Sequence, residues 1–563
     1  MLCQLCSNLD IFNLLSYRID KYCASFEGPA EFQNIFYYMP RDLLHHTPGE
    51  HLVPYHEGHE NLSKSSATCD LCRVVYHTIT PTLNVLELFE QTFDYPSNAA
   101  SYKLAFCGQE SGQGIQVVGY RDEQFSIHAI LGAIGFAVDQ GEYESPLSEV
   151  LGRRKLPSSP QSKDGLEFMQ KWLLKCSSHH GHQHISKLLP TRLLRYDETT
   201  QTAVLCSSVP EDTTYAALGH CWGSVQPLTL ATNTAQQLYN GMSIEAFPRT
   251  FQDAFWVTRK LNIPYLWIDS LCIVQDSNDD WVRESARMCD VYGNAHLTIA
   301  ATKSKDSSEG FLRPRSESFY TEIPFLGGEV PGNVSIFPMP NSHVEAPYRI
   351  LDLDEDPLSK RAWAFQERYL SPRTLHFAHA QMYFECESGF QAQEGYTTPT
   401  NHPRPFNIPK REGRDQDERQ IRVDWNFMVT RYTQRFITME SDRLPALGGL
   451  AARLSLEFAQ QGSNSEYLAG LWKDNLFCDL CWFVLDQHPK RKDPTTYSAP
   501  SWSWVSMNYP VHYHYHDESE NLAILREAKV NLENDVSPFG RVTGGWIRLS
   551  AIFYIHAAWT TKA

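Results

Sequence analysis

Four groups of residues in this chain have the types and spacing to do chemistry. The first is Trp281-x-x-Glu284. At about 100° per residue, Glu284 stands roughly 60° from Trp281, on the flank of an apolar helical stripe. A carboxylate there can stabilise developing positive charge at the border of a crevice. It can equally pair with Arg283 or Arg287, or favour the helix N-terminus. The second is Asp269, set inside the apolar run WIDSLCI. A carboxylate so placed must be paired, hydrogen-bonded or open to a cleft. It reads as a substrate ligand at a strand's C-terminal end, or as a buried partner of Arg249, Arg283 or a backbone loop.

The third group is His220 and Cys221 with Cys272, the residue types of a Cys–His hydrolase. Adjacent strand residues point to opposite faces, which leaves His220 with Cys272 as the dyad. The plain alternative is that these are small core cysteines. Trp222, next along, is placed to shape a turn or to stack on a base. The fourth group is two C-x-x-C pairs, Cys3 with Cys6 and Cys69 with Cys72. Together they form an all-thiolate ligand set for structural zinc. The gap between the pairs exceeds the ~15–20 residues of a compact zinc module. His56 and His59 are alternative ligands, and helix-borne core cysteines are the rival reading. Arg361, Gln366, Glu367 and Arg368 crowd one short helix with Trp363; they read as an ion-pair network, with Glu367 as a second candidate carboxylate.

These residues need elements to position them. Tyr215–Leu218 is a short apolar run leading into Gly219-His220-Cys221-Trp222-Gly223, a strand ending in a loop. Thr250-Phe-Gln-Asp253 has the form of a capping box with Asp for the usual Glu or Gln. Phe251, Ala254, Phe255, Thr258 and Leu261 follow at helical spacing until Pro264 breaks the pattern. Tyr265–Ile268 and Leu271–Val274 are apolar and rich in β-formers. Asp279 and Asp280 open the next helix, where carboxylates favour the positive end of the dipole, with Trp281, Ser285, Met288, Cys289 and Tyr292 along one face. Leu297–Ala300 is a further strand. Strand, helix, strand, helix, strand implies a parallel sheet with helices packed on it.

Elsewhere, Tyr102–Cys107 and Gly114–Gly119 read as short strands around the turn QESGQG, and Leu156–Asp164 as a linker before a helix near Leu166–Leu174. Leu444–Phe458 reads as a helix. The reading divides the chain into an N-terminal region at 1–205, an α/β domain at 213–387, a polar Pro-rich loop at 388–422 and a mixed, β-rich region at 423–563. A length of 563 residues suits two to four domains. Aromatic residues make up 12%, which argues against long disorder. The net charge of −17, without a basic block, disfavours nucleic acid and anionic membranes as partners. No secretory signal or apolar run of about 18 residues is present, so a cytoplasmic location with reduced cysteines is expected. The absence of P-loop, G-x-G-x-x-G, G-x-S-x-G and H-E-x-x-H patterns disfavours kinases, ATPases, classical dehydrogenases, α/β-hydrolases and zincins.

An ordered set of motifs carries a family resemblance: YAALGHCWG at 215–223, FPRTFQDAFWVTRKLNIPYLWIDSLCIVQD at 247–276, DWVRESARMCDVYGNAHLTIAA at 280–301, GFLRPR at 310–315, RAWAFQERYLSPRTLHF at 361–377 and APSWSW at 499–504. With LLPTRLL at 188–194 and the N-terminal C-x-x-C pairs, this order resembles the fungal heterokaryon-incompatibility (HET) domain proteins. There are departures: Ser is common in relatives at the position of Gly219, and Cys176 and His180 are followed by Gln183 near the place of an expected second Cys.

The resemblance implies a fungal origin, a role in nonself recognition leading to programmed cell death as in innate immunity, and an α/β core distantly similar to the Toll/interleukin-receptor (TIR) fold. Some TIR domains cleave the nicotinamide–ribose bond of NAD with the Glu of a W-x-x-E helix. By that likeness Glu284 is the catalytic carboxylate, Trp222, Asp269 and Trp281 bind substrate, and NAD is the substrate. Two further readings stand beside it: an interaction module that signals by self-assembly or protein partners, and a hydrolase using Cys272 and His220.

Overall fold

The computed structural model describes residues 1–16, 52–93, 102–108, 114–120, 127–138, 151, 154–179, 188–223, 227–315, 320–325, 332–339, 353, 356–386, 389–395, 397–399, 418–460, 462–484, 496–513 and 523–551. It is a mixed α/β protein with several sheets. The chain divides into two discontinuous units, one of residues 1–176, 312–356 and 376–402, the other of residues 177–311, 357–375 and 403–563. Among the described residues no helix is long and apolar enough to cross a membrane.

The second unit carries most of the motif blocks. Its elements are β1 (Leu193–Asp197), β2 (Thr202–Cys206), β3 (Tyr215–Gly219), α1 (Ala235–Asn240), β4 (Met242–Ser243), α2 (Arg249–Lys260), β5 (Tyr265–Ile268), α3 (Asp269–Cys272), α4 (Asn278–Ser285), α5 (Met288–Gly293), β6 (Leu297–Ala300), α6 (Ala362–Leu370) and β7 (Arg373–Phe377), whose residues Arg373 to Leu375 fall in this unit. Its strands are ordered β7-β6-β3-β5-β1-β2-β4. The three strands read from the motif blocks, β6, β3 and β5, are parallel neighbours. Every residue of β3 and β6 is buried, as expected for strands covered on both faces.

The sheet is mixed rather than parallel throughout, which corrects the sequence expectation. β1 runs antiparallel to β5, β2 to β1 and β4 to β2. For β1 and β2 the reason is connection length. β1 and β2 are joined by a tight turn in which the Asp197 side chain accepts from the Thr199 and Thr200 amides and Gln201 takes φ 54°. So short a loop can only reverse the chain, because a parallel pair needs a crossover of a dozen or more residues. The alternating burial of β2 marks it as covered on one face.

The α2 stripe forms over Phe251, Ala254, Phe255 and Thr258, which are buried, while Leu261 falls at the C-cap and is half-buried. The capping box of α2 does not form. The helix starts at Arg249 behind Pro248 with no side-chain cap. Asp253 instead accepts from the Phe311 amide at 2.8 Å and from Arg249 at 3.1 Å. The next helix is broken into α4 and α5, and the break resets which residues face inward. Met288, Cys289 and Tyr292 are buried on α5, but on α4 the buried residues are Asp280 and Glu284. The remainder of the unit holds α7 (Glu418–Thr433), α8 (Pro445–Gln460) and a hairpin of β8 (Ala523–Leu532) with β9 (Val542–Ala551). Helices therefore share with strands a region read as β-rich.

The first unit contains a six-stranded sheet, Val53–Pro54, Lys103–Gly108, Gly114–Tyr120, Ile127–Ala137, Asn333–Pro338 and Thr321–Pro324 in that order. Adjacent strands are antiparallel throughout. The helix Asp70–Phe93 supplies Leu71, Val75 and Ile79 to its core. The turn at 109–113 and most of the Pro-rich stretch, residues 400–417, lie outside the described residues, as do His180 and Gln183. Gly389–Ala392 and Thr397–Pro399 form an antiparallel pair, and the helix expected near Leu166 spans Lys163–His179.

Candidate functional site at the parallel strand ends

Where β3 ends, the chain runs on as His220-Cys221-Trp222-Gly223; where the parallel neighbour β5 ends, Asp269 opens α3. Open α/β sheets bind ligands beyond the C-terminal ends of such strands. The geometry follows from the backbone. Gly223 holds φ 82°, and a Cβ there would stand 2.2 Å from the Asp306 Cβ, so only glycine makes this turn. The turn presents Trp222, whose indole N–H donates to Asp269 Oδ2 at 2.8 Å. Asp269 Oδ1 accepts from the Ser270 amide at 2.7 Å and lies 3.7 Å from His220 Nδ1. The Asp269 side chain keeps 22% of its surface exposed, against 1% for His220.

A third element closes the cluster. Glu367, from α6, is buried, and a Cβ on Gly219 would meet its Oε2 at 2.7 Å. The missing side chain at the end of β3 is what lets this carboxyl lie against the strand. Arg361, which caps α6, donates to the His220 carbonyl. Glu367 therefore belongs to the strand-end cluster, where the sequence suggested a helix-locking ion pair. Gln366 does lock the helix, accepting from the Gly449 amide at 3.0 Å.

Burial pushes the Glu367 carboxyl up to about 8; the Arg361 guanidinium pulls it back and Asp269 pushes it further. Burial likewise holds His220 down at about 4, against the pull of Asp269. Burial thus favours the uncharged form of both the carboxyl and the imidazole. Neither ring nitrogen of His220, nor Glu367 Oε2, nor the Ser270 hydroxyl has a hydrogen-bond partner among the described residues. Buried polar atoms are rarely left so.

The Cys–His dyad is not formed. Cys272 is fully buried, its thiol pushed up to about 12 by that burial, and no sulfur among the described residues reaches His220. Cys221 packs against Ala300, Leu358 and Ala364 as a core residue.

Glu284 lies in a different environment, which the motif LLPTRLL builds. Thr191 donates to Glu284 Oε2 at 2.8 Å. Arg192 grips both oxygens of Asp280 at 2.6 and 2.7 Å and lies 3.8 Å from Glu284 Oε1. Arg283 adds a contact of 3.3 Å to Glu284 and a second to Asp280. Arg287, the other expected partner, donates instead to the Leu189 carbonyl. Trp281 is occupied as well: the Arg541 guanidinium sits 4.8 Å from its ring centre, and Trp363 meets it edge-on. Trp222, Asp269 and His220 are thus brought together, while Glu284 and Trp281 belong to a network of their own. In the first unit, the sulfurs of Cys3, Cys6, Cys69 and Cys72 all lie within 4.8 Å of one another.

The close approach at Gly219 is testable. Gly219→Ala is expected to cost about 1–3 kcal/mol, as overpacking does, and the cost should shrink in a Glu367→Ala background. Equal penalties in the two backgrounds, measured by denaturant unfolding, would show that the carboxyl is not what the methyl group meets.

Compared with known proteins, residues 215–367 match the model of the family described as Heterokaryon incompatibility protein (HET). No curated protein matches the chain, and no solved structure matches it.

Proposed function

We propose that this chain, which residues 215–367 place in the HET family, serves fungal nonself recognition and triggers programmed cell death as a cytoplasmic interaction and assembly module. The observation that carries this reading is the state of Glu284. It is 2% exposed and is surrounded by Thr191, Arg192 and Arg283. A TIR-like glycohydrolase needs that carboxylate at the ribose, and here its hydrogen-bonding capacity is already engaged by the protein. Self-association or a protein partner then transmits the signal.

A second reading retains NAD hydrolysis in a TIR-like core and moves the chemistry to the strand ends. Asp269 is the partly open carboxylate there, oriented by Trp222. Breaking a glycosidic bond develops oxocarbenium character that a fixed carboxylate stabilises. Trp222 would stack on the base.

The experiment pairs cell viability on expression of the full chain with NAD consumption by the purified chain, for the native protein, Glu284→Gln and Asp269→Asn. Death without NAD loss is the expected result. NAD loss stopped by Asp269→Asn alone would favour the second reading. NAD loss stopped by Glu284→Gln in a protein that still folds would overturn both in favour of hydrolysis at Glu284.

A further inference from the structure

The first unit holds a cluster that the strand-end site does not use. Cys69 directly precedes the helix Asp70–Phe93 and Cys72 lies in its first turn, while Cys3 and Cys6 flank and enter the short helix Gln4–Ser7. The pairs are 66 residues apart from Cys3 to Cys69, yet their four sulfurs converge. Cys72 Sγ stands 3.8 Å from Cys3 Sγ and 3.5 Å from Cys6 Sγ, and no pair exceeds 4.8 Å. All four cysteines are free thiols, and only Cys3 is not fully buried. A tetrahedron of thiolates around zinc, with bonds of about 2.3 Å, has edges of about 3.8 Å. The separations are those of ligands around one ion and leave no room for a multi-iron cluster.

The surroundings fit thiolates rather than thiols packed as hydrophobes. The Cys3 amide faces Cys69 Sγ at 3.3 Å, the Ser65 hydroxyl donates to Cys72 Sγ at 3.2 Å, and the Tyr55 hydroxyl sits 2.9 Å from Cys72 Sγ and 3.2 Å from Cys6 Sγ. Donors aimed at sulfur in this way are the outer shell of a metal–thiolate site. Cys69 and Cys72 also stand at the positive end of a long helix, which favours negative sulfur. His56 lies 3.4 Å from Cys72 Sγ and joins the same shell, whereas His59 faces Thr80 and stacks on Tyr76.

We propose that Cys3, Cys6, Cys69 and Cys72 bind a single structural Zn²⁺ that fastens the segment 1–16 to the start of the helix Asp70–Phe93. Four protein ligands close the coordination shell, so the ion has no open position for substrate. Its role is to hold together chain that the sequence keeps far apart.

Metal content of the full chain, purified without chelator, decides the matter. One equivalent of zinc per chain is expected. Cobalt exchanged into the site should give the intense visible absorption of a tetrahedral tetrathiolate, and Cys6→Ser and Cys72→Ser should each lose the metal. Chelation of the native chain should increase proteolysis within residues 1–16, and zinc should reverse it. A native chain free of zinc with four titratable thiols, a pair of disulfides among these cysteines, or bound iron in place of zinc would overturn the proposal. Because the native protein is read directly, failure of a variant to fold does not shelter it.

Discussion

Replacing Arg192 by methionine should cost the second unit about 3–5 kcal/mol, the penalty for leaving a buried charge without its partner. The side chains of Arg192, Asp280 and Glu284 are 9%, 8% and 2% exposed. The single guanidinium holds both oxygens of Asp280 and faces Glu284. Methionine fills the volume and supplies no charge, so two carboxylates remain in the interior. Arg283 cannot make up the difference, since its side chain is 55% exposed and water screens it. The Val274 amide still serves Asp280, which holds the loss toward the lower end. Glu284→Gln should lose less, about 1.5–3 kcal/mol, the worth of hydrogen bonds to a charged group. Hydrogen exchange at the β3 and β5 amides measures both, and it does not require the two units to unfold as one. An Arg192→Met opening energy within about 1 kcal/mol of native would show that the network is not what secures α4.

Stability should also fall as pH rises from about 6.5 to 8, and Glu367 should be the cause. Its carboxyl is raised from the ordinary 4.5 to about 8, so over that interval the folded protein holds a proton that the unfolded chain has released. The contribution is full below 4.5 and is lost as pH climbs through 8. His220, lowered from 6.5 to about 4, works in the opposite sense: its contribution is full above 6.5 and disappears as pH falls through 4. Below about 6.5 the two slopes oppose each other; above it only that of Glu367 remains. The expected decline is about 1.5 kcal/mol between pH 6.5 and 8. Denaturant unfolding at a series of pH values checks it against Glu367→Gln, which should be flat over the interval. A native protein already flat there would mean that Glu367 ionises in the folded state as it does in the unfolded chain.

The strands at the site are readable because burial on both faces leaves a nearly unbroken apolar run, as in Tyr215–Leu218 and in Leu297–Ala300, where only Thr298 interrupts it. The antiparallel extension of the sheet is not, since β1 and β2 lie in a stretch whose hairpin has no Asn-Gly or Asp-Gly signature. The inward face of α4 departs from its apolar periodicity for a plainer reason. Periodicity assigns the core to apolar residues, and here Asp280 and Glu284 face in because Arg192, 88 residues away from Asp280, meets them. No local pattern reports such a partner. The cysteines illustrate the same limit from the other side: each C-x-x-C pair is a local signal, while their convergence is tertiary. His220, Trp222 and Asp269 stood out as polar or aromatic residues at strand ends. What the sequence could not show is that the bare backbone of Gly219 admits Glu367 beside them.

The discontinuous path of the chain has a consequence for its synthesis. The second unit begins at Ser177, before the first has received residues 312–356 and 376–402. The strands Thr321–Pro324 and Asn333–Pro338, which extend the first unit's sheet, leave the ribosome only after β3, β5 and β6. Glu367 and Arg361 follow later still. A nascent chain can therefore fold its parallel strands early and still lack the acid that completes the cluster at their ends. An interrupted translation product ending between Ala300 and Glu367 carries the motif strands without that group. The order of synthesis thus leaves the strand-end cluster without its buried acid until nearly two-thirds of the chain has been made.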